Sequence, residues 1–149
     1  MDAALWKEYL GQLDKLADTL EKLTELEREK THAVSAGDLE AVDACMKKEQ
    51  VFSLNLRGLD QKREKLLSQM GLTGSTLSQL ESQSPPELLL ESRKTAEKLR
   101  QRYQVFQSAS EVARNALECN LHEIEKLQKE MEARNEAPPP EARQSDFRA

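Results

Sequence analysis

Apolar residues recur along this chain at three- and four-residue steps in three long stretches. From Leu5 to Val34 the stripe runs Trp6, Tyr9, Leu13, Leu16, Leu20, Leu23 and Leu26, with charged residues between its members. A second stripe, Val42, Cys45, Phe52, Leu56, Leu59, Leu66 and Met70, follows at the same steps. The third runs Leu89, Ala96, Leu99, Tyr103, Phe106, Ala113, Leu117, Ile124, Leu127 and Met131, with no breaker before Asn135. These steps gather side chains on one side of a helix, so each stretch predicts a helix with one packed and one wet face.

The breaks between stripes carry turn and cap chemistry. Ser35-Ala36-Gly37-Asp38 offers a left-handed glycine to end one helix and an aspartate to accept the first free amides of the next. A link that short predicts an antiparallel hairpin. Gly71 closes the second helix, and residues 71–83 read as a loop with one helical turn around Leu72, Leu77 and Leu80. Ser84-Pro85-Pro86-Glu87 predicts a start for the third helix: a serine cap, prolines where missing amide hydrogens are harmless, and a glutamate to close a capping box. The expectation is an all-α protein: one helical domain over 1–134, with helices at about 3–35, 38–70 and 85–134 forming a long hairpin plus a longer third helix in a coiled-coil-like three-helix bundle. Residues 135–149, EAPPPEARQSDFRA from position 136, are proline-rich and charged, and predict a flexible tail. Glu49 and Arg63 fall on the second seam, where they either set register or bend out to water.

Length then matters. At 1.5 Å per residue the first two helices are each roughly 50 Å long and the third roughly 75 Å. Antiparallel packing along the hairpin exhausts the third helix's partners near Leu117, leaving NLHEIEKLQKEM, residues 120–131, beyond the bundle unless the helix folds back or the first helix is offset along the bundle to cover it. An exposed apolar stripe on a helix marks an interaction surface. The residues expected to bind a partner are Ala113, Leu117, Asn120, Leu121, Ile124, Leu127 and Met131, with Asn120 fixing the register of an incoming helix through its amide. Phe147, the lone aromatic of the tail, is a candidate anchor for a second partner.

Composition narrows the function classes. The net charge of -5 opposes binding to a phosphate backbone, so no nucleic-acid partner is expected. No apolar run approaches the roughly 20 residues of a membrane span, and MDAALWKEYL carries neither a basic leader nor a small-residue cleavage site, which together read as a cytoplasmic protein. Cys45 and Cys119 lack CxxC spacing and read as reduced structural residues. Glu29-x-x-His32 and Cys119-x-x-His122 each place two ligand types one turn apart, but single copies do not make the multi-helix carboxylate set of a di-iron bundle. The basic positions Arg93, Lys94, Lys98, Arg100 and Arg102 alternate with Glu91, Glu97 and Gln101 and read as a solvated face. No enzyme and no cofactor are expected, because three leucine stripes and two histidines supply no convergent acid, base or nucleophile.

The order of these features resembles the FlgN family of flagellar export chaperones. The resemblance rests on the N-terminal leucine helix, the break at Ala36-Gly37-Asp38-Leu39-Glu40-Ala41, Lys47-Lys48-Glu49, and Lys62-Arg63-Glu64-Lys65-Leu66-Leu67 closing on Met70-Gly71-Leu72. Leu77-Ser78-Gln79-Leu80 and Asn115-Ala116-Leu117 continue it, so that it covers roughly residues 5–134. It implies a cytosolic bacterial chaperone without ATP or catalytic residues. Such a chaperone binds the C-terminal helical segment of hook-filament junction proteins, keeps it from associating prematurely, and delivers it to the export gate and its ATPase components. The competing reading is a homodimeric coiled-coil scaffold in which the third helix pairs with its own copy.

Overall fold

The computed structural model of the chain describes residues 3–134. Four α-helices follow one another: α1 (Ala3–Ala36), α2 (Leu39–Gln69), the short α3 (Leu77–Ser82) and α4 (Leu89–Ala133), with a 3-10 turn at Pro86–Leu88 just before α4. No strand occurs among the described residues. The all-helical expectation holds.

Local chemistry explains the breaks. Gly37 takes φ 69°, a left-handed conformation that a side chain makes costly, and the amide of Asp38 bonds back to the Ala33 carbonyl at 2.9 Å. Asp38 Oδ1 then accepts the Ala41 amide at 3.1 Å and opens α2. Gly71, at φ 73°, ends α2 in the same way. The expected helical turn is α3, and there a reciprocal capping box forms. The Thr76 hydroxyl accepts the Gln79 amide, and the Gln79 side chain accepts the Thr76 amide.

The capping box expected at Ser84 and Glu87 does not form. The two prolines commit the chain to a 3-10 turn, so α4 begins five residues beyond Ser84 and no side chain caps it. The Ser84 hydroxyl instead meets Ser92 Oγ at 2.6 Å.

The arrangement of the helices also differs from the expected one. α1 packs against both α2 and α4, whereas no Cα of α2 comes within 8 Å of one in α4. α2 returns the chain to the start of α1, the long connection stays at that end, and α4 therefore runs parallel to α1. Trp6 meets Ser92, Asp14 and Asp18 meet Lys98, Glu21 meets Arg102, and Ala116 packs on Ala33 and Val34. The physical reason lies in α1 itself. Its buried residues include the adjacent pairs Tyr9/Leu10, Leu16/Ala17, Leu23/Thr24, Leu26/Glu27 and Ala33/Val34. Neighbours in a helix diverge by about 100°, so α1 buries two faces and serves two partners.

The main core lies at the end where α1 begins. Trp6, Tyr9, Leu10, Leu13 and Leu16 meet Leu66, Leu67, Leu80 and Leu88. The Trp6 and Tyr9 rings sit 5.5 Å apart and tilted by 56°, a favourable edge-biased contact. Only a small cluster of Ala33, Val34 and Val42 closes the other end.

A candidate partner-binding surface

α4 outlasts the helix that covers it. α1 ends at Ala36, next to the last α4 residues that touch it, and past Ala116 nearly every α4 side chain is exposed. Over those final residues Leu121 is 59% exposed, Ile124 47%, Leu127 59% and Met131 39%. Leu117 lies at the edge of cover, and Asn120 is exposed on the same stretch. α4 continues as one helix to Ala133 rather than folding back. The overhang was expected from the exhaustion of a hairpin partner, and the partner that ends is α1.

Ala113, grouped above with these residues, is fully buried and belongs to the packing of α4 on α1. It drops out of the open stripe because α1 still lies alongside at that point. Phe147 and the rest of the tail lie outside the described residues.

Charge holds the covered part of α4 in place. Lys98 Nζ lies 3.7 Å from Asp14 and 3.6 Å from Asp18, Arg102 Nε lies 3.7 Å from Glu21, and Arg100 Nη1 meets Glu81 of α3 at 2.8 Å. Three residues read as a solvated face therefore clasp α4 to an acidic edge of α1 and to α3. Each such exposed pair is worth well under 1 kcal/mol. Their signal in the sequence was the acidic run Asp14, Asp18 and Glu21 on α1, at helical spacing.

A second open feature was not expected. α2 and α4 straddle α1 without meeting, and between them lies a groove of about 560 Å³ floored by Leu13, Leu16 and Leu20. Leu56 and Arg57 of α2 and Leu99 and Tyr103 of α4 line its walls. Arg63 and Asp60 also reach it, bonded to each other at 2.9 Å. Arg63, placed on the seam by sequence, thus bends to a local carboxylate.

Glu49, the other polar seam residue, does face inward. It meets Lys30 Nζ at 2.9 Å, and Lys30 also meets Glu27 at 3.2 Å, all with side chains largely buried between α1 and α2. Burial, helped by the Glu49 charge, pushes Glu27 above the usual carboxylate range, with Lys30 pulling against it. Burial draws Lys30 down, but hydrogen bonding and charge from the two glutamates more than offset it, so its ammonium titrates above the usual lysine range. Burial likewise pushes up the Cys45 thiol, whose Sγ lies 4.0 Å from Glu29 Oε2. Cys119 is an exposed free thiol. Glu29 and His32, and Cys119 and His122, gather no third ligand: no group of three or more His, Cys, Asp or Glu side chains comes together among the described residues in a way that could hold a metal ion. No described helix is long and apolar enough to cross a membrane.

A family model described as FlgN protein matches residues 1–140 of the chain. No curated protein and no solved structure matches it.

Proposed function

The chain belongs to the FlgN family of flagellar export chaperones, and on that premise we propose that its client site is the α4 overhang. In this reading Leu117, Asn120, Leu121, Ile124, Leu127 and Met131 receive the C-terminal helical segment of hook-filament junction proteins. The supporting observation is the stripe that α1 leaves uncovered past Ala116.

The physics of the task fits that surface. An amphipathic client segment left free in the cytoplasm self-associates through its apolar face, and a chaperone prevents this by offering an equivalent face, helix against helix. Neither ATP nor a catalytic group is needed. Asn120 supplies a polar register mark, because its amide is satisfied only when the partner helix slides to a matching polar group. Delivery follows from the same geometry. An overhanging helix presents the client away from the bundle, open to the export gate and its ATPase components, with Phe147 as an anchor for that second contact.

Calorimetric titration of a client C-terminal fragment into the Leu121→Ser/Ile124→Ser variant tests the site. The expected outcome is binding weakened by about 1–3 kcal/mol per lost anchor with an unchanged thermal midpoint. Unchanged affinity would remove the overhang as the site. Loss of motility without loss of client binding in a Phe147→Ala variant would support the anchor, and wild-type export would refute it.

A further inference from the structure

The described residues carry an apolar groove without a helix and an apolar helix without a groove, and we propose that they fill each other between two copies. The α4 overhang of one copy lies in the α2–α4 groove of the other. The pairing itself goes beyond the client reading, and only its consequence for clients rests on that reading.

Charge selects this occupant. The overhang holds Glu118, Glu123, Glu125, Glu130 and Glu132 against Lys126, Lys129 and Arg134, a net acidic strip. None of those glutamates makes an ion pair among the described residues. The groove has the opposite sign. Arg57, Arg63 and Arg100 line it against the single Asp60. Arg63 is answered by Asp60 and Arg100 by Glu81, whereas Arg57, exposed on the rim, has no ion pair among the described residues.

Shape agrees with charge. The floor residues Leu13, Leu16 and Leu20 and the overhang residues Leu121, Ile124, Leu127 and Met131 both follow three- and four-residue steps, the condition for side chains of one helix to seat between those of another. The incoming helix occupies the empty fourth corner left by α1, α2 and α4, completing a four-helix arrangement. Symmetry allows both contacts at once. The groove lies toward the start of α1 and the overhang beyond its end, so a two-fold axis across the helices brings each overhang to the other copy's groove and closes the assembly. Such a pair hides the same stripe that receives clients, so free chaperone masks its own surface and a client must compete for it.

Sedimentation velocity of the full chain at micromolar concentration tests this with two variants. One alters the groove, Arg57→Glu/Tyr103→Glu, and the other the overhang, Ile124→Ser. Circular dichroism and a thermal melt establish that both remain folded; if the double variant does not, Arg57→Glu alone takes its place. Each variant is expected to raise the dimer dissociation constant about tenfold or more. An equimolar mixture is expected to recover dimer that neither forms alone, because it contains one intact groove and one intact overhang. A monomeric parent chain overturns the proposal. So does a groove variant that dimerises like the parent while the overhang variant does not, since the overhangs would then pair with each other. A mixture that recovers nothing overturns it as well.

Discussion

The indole nitrogen of Trp6 donates a hydrogen bond to Ser92 Oγ at 2.7 Å, joining the first turns of α1 to the first turns of α4 across 86 residues of sequence. Both residues are buried, and Ser92 continues to Ser84 at 2.6 Å. This short polar chain sets the parallel register of α4 on α1, and with it the point at which α4 runs out of cover.

Replacing Ser92 by Ala leaves a buried indole N–H without an acceptor. The expected loss of stability is about 1–3 kcal/mol, the usual penalty for orphaning one buried polar group. Ser84→Ala, one bond further out, is expected to cost less. Urea unfolding of the two variants, followed by Trp6 fluorescence, checks the order.

The Lys30 ammonium stands between the carboxylates of Glu27 and Glu49. Lys30→Met therefore leaves two largely buried acids facing each other, with an expected cost of about 3 kcal/mol at neutral pH. Acidification should restore much of that loss by protonating one acid. The triple replacement Glu27→Leu/Lys30→Met/Glu49→Leu should be near neutral, because no unpaired charge remains. Thermal melts at neutral and mildly acidic pH separate these outcomes.

Burial pushes the Tyr9 hydroxyl up to about 12, partly offset by the nearby Arg63 guanidinium. A folded-state value above the unfolded one stabilises fully below the unfolded value and is lost as pH rises through the folded one. Stability should therefore decline between pH 10 and about 12. Lys30, also raised, contributes in the same alkaline window. Tyr9→Phe is expected to remove part of the decline and Lys30→Met another part, read from denaturation midpoints across that range.

Core and overhang should respond oppositely to the same kind of change. Leu16→Ala removes a buried side chain on the groove floor, with an expected cost of about 2–5 kcal/mol. Ile124→Ala, on the overhang, should stay within about 0.5 kcal/mol of the parent. Equal losses at both sites, in melts at low protein concentration, would mean that the overhang is covered in the free chain.

Period and punctuation made much of this structure legible in the sequence. The α1 stripe from Trp6 to Leu26 is buried throughout, Gly37 and Gly71 take the left-handed conformation, and Asp38 caps α2. The overhang could be expected because it follows from helix length alone. Partner choice was less legible. Reading one stripe on α1 concealed the second formed by Leu10, Ala17 and Thr24, and so α4 was set against the hairpin generally instead of against α1. Ser84 had the chemistry of a cap, but a serine hydroxyl serves whichever partner the fold brings near, and Ser92 came nearer. The groove had no signal of its own, because it arises from the distance between α2 and α4 rather than from any residue.

The parallel register of α1 and α4 also orders events in time. α1 and α2 meet across a two-residue turn, whereas α4 closes onto α1 only after a long loop has been drawn in, a slower step. On the ribosome the hairpin has emerged before α4 is complete, and α1 waits with one face uncovered. The last described helix is thus both the lid on that face and the bearer of the overhang. Refolding followed by Trp6 emission should show a phase slowed by Ser92→Ala, beside a faster helical phase that the same change leaves alone. A newborn chain acquires its exposed stripe at the moment it finishes hiding its own core.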